Sequence, residues 1–143
     1  MNNDGYFDDQ VAATYDAVHG QGKEVAIADT CALLAELADG GSALEFAIGT
    51  GRIALPLMQL GVPVKGIELS AAMVEQMRRK DGGRSIDVKV GDMTTQRFDE
   101  AFALVFLVYN TIDNLTTQDA QLACFQNAAA QLKPGGRFVI ETL

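Results

Sequence analysis

The fold is decided by one short stretch, Leu44-Glu45-Phe46-Ala47-Ile48-Gly49-Thr50-Gly51-Arg52. Its apolar first half predicts a buried strand, and the glycines behind it predict a tight loop that runs into a helix. Glycine is favoured where a backbone must turn sharply or approach a ligand closely, and a helix start offers N–H groups without partners. Because the acid Glu45 sits just before the loop, the stretch predicts a site for a nucleotide-like cofactor.

The composition indicates one globular domain. The chain has 143 residues, of which 48% are hydrophobic and 21% are charged, and this length allows a sizeable core. The net charge of -8 argues against nucleic acid or an anionic membrane as a partner, because both attract basic surfaces. The apolar runs are too short to span a bilayer, and the polar, acidic residues 1–9 favour a protein without a signal peptide.

The two cysteines, Cys31 and Cys124, both lie in helix-like apolar stretches. We therefore expect buried, reduced thiols in a cytoplasmic protein. The sequence has no Cys-x-x-Cys pair and no cluster of cysteine with histidine. This pattern predicts that no metal site is present.

Helical and strand patterns alternate along the chain. We predict helices over 9–17 and 23–38, the second with an apolar set of Val25, Ile27, Ala28, Cys31, Leu34 and Leu37. The elements that follow are a strand over 43–48, a helix over 52–60, a strand over 64–69, a helix from Ser70 to 80, strands over 86–90 and 101–109, a helix from Thr116 or Thr117 to 132, a turn over 133–136 and a strand over 137–141. Pro56 either bends its helix or marks the first turn. The alternation predicts an α/β fold, a doubly wound parallel sheet with helices on both faces.

The ends of the predicted strands carry the residues with binding chemistry, since ligands of such sheets bind beyond the carboxyl ends of the strands. Glu68 ends the second strand and suits the two hydroxyls of a ribose, unless it is only a solvated acid at a helix start. Asp92 follows the third strand and suits an adenine amine, unless it only bonds its own turn. Leu69 and Met73 either cover the adenine faces or belong to the core.

A dinucleotide-binding domain is the main alternative, because the sequence from Gly49 to Ala54 also satisfies the G-x-G-x-x-A pattern. Two features count against an NAD-type oxidoreductase. About forty residues with helical patterns precede the first strand, whereas dinucleotide folds usually start near it. Glu45 also places a carboxylate where a pyrophosphate would be repelled and an ammonium group attracted.

Four segments resemble class I S-adenosylmethionine-dependent methyltransferases, in the order in which that family has them. They are the glycine loop Glu45–Gly51, the strand-two acid in Gly66–Ser70, the adenine turn Val90–Met93 and the turn Leu132–Arg137. The resemblance covers roughly residues 10–143. It implies a Rossmann-like core with strand order 3-2-1-4-5, S-adenosyl-L-methionine as cofactor, S-adenosyl-L-homocysteine as product and a small-molecule methyl acceptor.

The resemblance also implies roles for individual residues. Glu45 would orient the loop and help to bind the methionine ammonium, Glu68 would hold the ribose, and Asp92 with the Met93 backbone would hold adenine. The loop Val108–Thr111 resembles the family's strand-four loop, which touches the methionine part and the acceptor. The implied cofactor-binding set is Tyr15, Glu45, Ala47, Gly49, Thr50, Gly51, Glu68, Leu69, Met73, Asp92, Met93 and Val108. No catalytic residue is required by the sequence; His19 and Asn110 are candidates, followed by Asp113 and Asn114 in the same loop as Asn110.

The chain departs from the family pattern in three ways. Ala47 replaces the first loop glycine, the usual acid inside strand four is absent, and five strands stand where the family normally has seven. We therefore expect N-terminal helices over 1–40 that cover the site and a core over 41–143 without the last two strands. Such a chain is either a fragment of a longer methyltransferase or is completed by a partner, for example in a homodimer through an exposed strand edge. A member that binds no cofactor and acts as an interaction domain is a further alternative.

Overall fold

The computed structural model describes residues 24–109 and 111–141. Five strands form one sheet in the order β3-β2-β1-β4-β5, and every neighbouring pair is parallel. The elements are α1 (Glu24–Ala38), β1 (Ala43–Phe46), α2 (Ala54–Gln59), β2 (Val64–Glu68), α3 (Ala71–Arg78), β3 (Asp87–Val90), β4 (Phe102–Leu107), α4 (Gln118–Ala130) and β5 (Leu132–Ile140), with 3-10 turns at Gly83–Ser85 and Thr111–Asn114. The predicted α/β class and strand order are confirmed.

The sheet is buried between two hydrophobic clusters. Side chains of a strand point alternately to its two faces, so Leu104 of β4 joins the cluster beneath α1 and α2, whereas Val105 joins the cluster beneath α4. The thiols mark the two sides, because Cys31 of α1 lies in the first cluster and Cys124 of α4 lies in the second. Helices therefore cover both faces, as predicted.

Both cysteines are free and fully buried. Burial raises the pKa of each thiol to about 11, with Glu45 adding to the effect at Cys31 and Asp92 at Cys124. The thiols are therefore protonated at neutral pH. This confirms the expectation of buried, reduced thiols for both positions.

The helix caps agree with the sequence, but some helix details do not. The hydroxyl of Ser70 accepts from the Met73 N–H at 3.2 Å and that of Thr117 accepts from the Ala120 N–H at 3.1 Å, so Ser70 and Thr117 are the caps. The helix after the glycine loop begins at Ala54, two residues later than predicted, because residues 51–53 still belong to the turn. Pro56 is its third residue and so lies in the first turn.

The predicted apolar face of α1 is partly wrong. Val25 is 77% exposed, and Ala28 is exposed as well. The buried stripe consists of Cys31, Leu34 and Ala38, which follow one another at the helical spacings of three and four. The first two turns of the helix therefore contribute less to the core than their apolar residues suggested.

The predicted turn over 133–136 lies inside a strand. Leu132 already pairs with Phe102 and Arg137 pairs with Leu104, so four residues of β5 bulge out opposite one residue of β4. Gly135 has a φ of +79°, and a Cβ on Gly136 would approach the Lys133 carbonyl oxygen to 2.9 Å. The glycines thus mark a bulge in β5 rather than a turn that precedes it.

Several predictions fall on residues that the structure does not describe. These are the helix over 9–17, Tyr15, His19 and Asn110. Within the described ranges, no helix combines the length and apolar character that crossing a bilayer requires. In the same part of the chain, no group of three or more His, Cys, Asp or Glu side chains could hold a metal ion. The division at residue 40 stays a prediction, although α1 packs directly on the sheet.

Candidate cofactor-binding site

A cleft opens at the carboxyl ends of β1, β2, β3 and β4. It consists of two adjoining cavities of about 100 and about 240 Å³, which share Ala47, Glu68, Thr111 and Asn114. The first is lined by Glu45, Ala47, Ile48, Gly49, Thr50, Arg52, Ile53, Glu68, Met73, Val108, Tyr109, Thr111 and Asn114. The second is lined by Ala47, Ile67, Glu68, Leu69, Gly91, Asp92, Met93, Thr111, Asn114, Leu115, Thr116 and Ala120. The cleft thus lies where a parallel sheet of this kind binds its ligand.

The glycine loop is fixed to the end of β2. The Ile48 N–H donates to the Ile67 carbonyl at 3.2 Å, and the Gly49 N–H donates to Oε1 of Glu68 at 2.8 Å. Gly51 has a φ of +80°, and a Cβ there would come within 2.8 Å of Cγ of Met77. Conformation and packing together therefore require glycine at position 51.

Ala47 occupies the position where the family resemblance leads one to expect a glycine. Its φ is +55°, in the left-handed region that costs a residue with a Cβ roughly 1–2 kcal/mol. The residue lines both cavities. The substitution therefore keeps the glycine-like backbone at a cost in strain.

Glu45 ends up beneath the loop and almost out of solvent. It is 3% exposed, and its Oε1 is buried without a hydrogen-bond partner. Burial, followed by the neighbouring Glu68 carboxylate, raises the pKa of Glu45 well above that of an ordinary glutamate, and Arg52 lowers it. A buried oxygen that lacks a partner and lines a cavity suits a ligand with a positively charged donor.

Glu68 connects the loop to the helix behind it. Its Oε1 accepts from Gly49 and its Oε2 accepts from the Ser70 N–H at 2.9 Å. The residue is only 7% exposed, so the alternative of a solvated acid is wrong. Burial raises its pKa, while the backbone N–H groups of Ser70 and Gly49 lower it. Each carboxylate oxygen can accept a second bond, which leaves capacity for ribose hydroxyls.

Asp92 makes the turn that the sequence offered as an alternative. Its Oδ1 accepts from the backbone N–H of Thr94 at 2.8 Å and from the Thr94 hydroxyl at 2.7 Å. The residue is nonetheless exposed to the second cavity. The turn therefore orients the side chain without excluding the predicted bond to adenine, which stays a prediction.

The segment that carries Asp92 and Met93 is held from behind by α4. Nδ2 of the buried Asn127 donates to the carbonyls of Met93 and Gln96 at 2.9 and 2.8 Å. Its Oδ1 accepts from Nε of Arg97 at 2.7 Å. One amide side chain thereby satisfies three groups of the loop that follows β3.

Most of the predicted binding residues lie in the cleft. The first cavity is lined by Glu45, Ala47, Gly49, Thr50, Glu68, Met73 and Val108, and the second by Ala47, Glu68, Leu69, Asp92 and Met93. Gly51 lines neither cavity, because it packs on Met77 under the loop. Met73 lines the first cavity and not the second, so it lies away from Asp92, the residue predicted to bind adenine.

The sequence analysis did not predict several lining residues, of which Arg52 is the most prominent, and it gave Tyr109 only as part of the strand-four loop. The Arg52 guanidinium lies 4.5 Å from the centroid of the Tyr109 ring. Tyr109 ends the predicted strand over 101–109, which was the signal for it, and it lies two residues after the observed end of β4. The contact between Tyr109 and Arg52 had no such signal, because it joins positions 57 residues apart.

The cleft fits the groups of the cofactor that the resemblance implies. A carboxylate oxygen without a partner is available for an ammonium group, a second carboxylate lies between the two cavities, and a loop that needs glycine lies beside both. The larger cavity is bounded by Asp92 and by apolar Leu69 and Leu115. These are the polar and apolar contacts that an adenine ring takes.

Comparisons with known proteins identify the family of this chain. The family of methyltransferase domains matches residues 43–136. A dTDP-3-amino-3,6-dideoxy-alpha-D-glucopyranose N,N-dimethyltransferase of Streptomyces fradiae is 32% identical over 136 residues, covering 92% of this chain and 52% of the relative. A putative methyltransferase of Bacillus subtilis, YqeM, is 31% identical over 104 residues, covering 71% of this chain and 42% of the relative. The chain thus spans about half the length of the curated relatives it matches.

Solved structures give the same family. DesVI of Streptomyces venezuelae superposes with a TM-score of 0.78 at 28% identity, over 92% of this chain and 57% of that chain. S-adenosylmethionine-bound CalS10, an amino pentose methyltransferase from Micromonospora echinaspora, gives a TM-score of 0.77 at 27% identity, over 92% and 56%. The fold, the glycine loop with its two buried acids, and these matches together place the chain in the class I S-adenosylmethionine-dependent methyltransferase family.

Proposed function

We propose that this chain binds S-adenosyl-L-methionine and forms the cofactor-binding part of an enzyme that methylates a small molecule. The observation that carries the proposal is the pair of buried acids, Glu45 and Glu68, at the ends of neighbouring strands around the glycine loop. Glu45 supplies a buried carboxylate oxygen without a hydrogen-bond partner in the first cavity, where it can bind a cationic group. Glu68 lies between both cavities, where a ribose would link the methionine part to the adenine.

The bound cofactor supplies an activated methyl group on a sulfonium, and the protein mainly aligns and shields the reactants. Glu45 is proposed to hold the charged amine and Glu68 the ribose, while Asp92 and the Met93 backbone hold the base. Val108 closes the first cavity as a buried apolar wall, which would keep water away. From the sequence, His19 is the candidate general base and Asn110 the candidate ligand of the acceptor.

Calorimetric titration with S-adenosyl-L-homocysteine tests this proposal. We expect micromolar binding to the wild-type chain and a loss of at least about 100-fold in Glu68→Ala, since two charge-assisted hydrogen bonds disappear. Glu75→Ala, which alters an exposed acid of α3, is the matched control and should bind normally. Tighter binding of NADH than of S-adenosyl-L-homocysteine would favour the dinucleotide alternative. A folded wild-type chain that binds neither would favour a domain without a cofactor.

We propose amino sugars as the first acceptors to screen. The support is the printed substrate class of two relatives, an amino-deoxysugar dimethyltransferase and an amino pentose methyltransferase. We also propose a cytoplasmic location, because the free thiols and the acidic charge suit it, and no nucleic-acid or membrane partner. A homodimer through the edge of β3 or β5 is a further proposal, and light scattering of the purified chain tests it.

A further inference from the structure

Two buried side-chain oxygens in the described part of the chain lack any hydrogen-bond partner, and both line the same cavity. They are Oε1 of Glu45 and the hydroxyl oxygen of Tyr109. Buried polar atoms in folded proteins nearly always have a partner, so atoms that lack one in a cavity point to a ligand group. The family resemblance implies that Glu45 binds the methionine ammonium and that the loop containing Tyr109 touches the methionine part, but it assigns no role to the Tyr109 hydroxyl.

Contacts of the backbone and of the ring both position Tyr109. Its backbone has a left-handed φ of +58°, and its N–H donates to Oε1 of Glu141 at 2.9 Å. The Arg52 guanidinium covers the face of the ring. A left-handed conformation in a residue other than glycine is uncommon and concentrates at functional sites. The position of the hydroxyl is thus set before a ligand arrives.

The charges around the hydroxyl indicate which ligand group it receives. Glu45, Glu68 and Arg52 line the same cavity. Burial raises the pKa of Tyr109, Arg52 lowers it, and Glu141, Cys31 and Glu45 raise it by smaller effects. The phenol therefore stays protonated and neutral, with lone pairs for a donor. Because an ammonium group carries several N–H donors, it can satisfy the tyrosine oxygen and the glutamate oxygen at the same time.

We propose that the Tyr109 hydroxyl, together with the Glu45 carboxylate, binds the ammonium group of the cofactor's methionine moiety. The inference rests on the proposed function and extends it by assigning a second side chain to that group. Tyr109 is thus a binding residue, and the Arg52 contact orients it.

The test compares two ligands in wild type and Tyr109→Phe by calorimetry. The ligands are S-adenosyl-L-homocysteine and its analogue in which a hydrogen replaces the amino group. We expect Tyr109→Phe to weaken S-adenosyl-L-homocysteine about tenfold, equivalent to about 1.4 kcal/mol, and to leave the analogue unchanged. The free energy of unfolding of the free protein should not fall, since the deleted hydroxyl makes no hydrogen bond in it.

The possible results separate this inference from the proposed function. Equal weakening of both ligands, or unchanged affinity for S-adenosyl-L-homocysteine, overturns the role of the hydroxyl while the proposed function stands. Failure of the wild-type chain to bind S-adenosyl-L-homocysteine overturns the proposed function itself. Ser85→Ala removes an exposed hydroxyl outside the cleft and should change neither affinity.

Discussion

At the scale of single residues, Glu45 makes the stability of the free protein depend on pH. Burial and the Glu68 carboxylate raise its pKa, and burial also raises the pKa of Glu68. Arg52, Cys31 and Tyr109 are the other ionisable groups near Glu45. In the unfolded chain both carboxyls lose their protons near the ordinary glutamate pKa of about 4.3. The folded state holds those protons to higher pH, so the stabilising contribution of these two carboxyls is fully present below that pH and is lost as the pH rises through the raised values.

Glu45→Gln tests this pH dependence. We expect the free energy of unfolding to fall less for the variant than for wild type between roughly pH 5 and roughly pH 8, because one of the two protons no longer titrates. Denaturant titrations of the free protein at both pH values measure the difference. An identical fall in both proteins would mean that the Glu45 carboxyl is ionised in the fold. Glu36→Gln, which neutralises an exposed acid of α1, is the control.

At the scale of elements, α4 supports the side of the cleft that carries Asp92 and Met93, through Asn127. Removing this amide in Asn127→Ala leaves the Met93 and Gln96 carbonyls and the Arg97 donor without their partner. We expect a loss of about 2–3 kcal/mol in the free energy of unfolding. Binding of 5′-methylthioadenosine, which lacks the amino-acid part, should also weaken, since the Asp92–Met93 segment loses its support.

Gln126→Ala is the matched variant for this prediction, because its side chain is exposed on the same helix. Denaturant titration and calorimetry measure both quantities in the two variants. Equal losses of stability and affinity in the two variants would show that the effect comes from altering α4 in general and not from removing the Asn127 amide. Normal nucleoside affinity in Asn127→Ala would show that the loop keeps its shape without this support.

Elements were predictable from the sequence wherever one local pattern determined them. Ser70 could be recognised as a cap because a short polar residue preceded an apolar helix, and its bond to Met73 bears this out. The bulge in β5 could not be recognised, because Pro134, Gly135 and Gly136 are also typical of a turn. The deciding contact, Leu132 with Phe102, joins distant positions. Local sequence signals therefore showed where the regular strand is interrupted, but not whether the interruption is a turn or a bulge.

At the scale of the whole molecule, the topology explains why the site was largely predictable. Parallel strands end at one edge, so residues as distant as Glu45 and Val108 could be placed together from the strand order alone. Asn127 and Arg52 escaped prediction, because their roles depend on side-chain contacts between a helix and a loop or a loop and a ring. The sequence thus indicated the residues that line the cleft better than those that hold them in place.

The two thiols allow a test of whether the two faces of the sheet open together. Cys31 and Cys124 are fully buried in different clusters, and a thiol reagent reaches them only when the protein opens. Cys124→Ala and Cys31→Ala each leave one reporter. If the sheet unfolds as one unit, both thiols should react at similar slow rates, and S-adenosyl-L-homocysteine at about 100 times its Kd should slow both about 100-fold. If the ligand slowed only the reaction of Cys31, the face beneath α4 would open without releasing the ligand. Cys31 would then report ligand release, since it lies on the Glu45 side of the sheet.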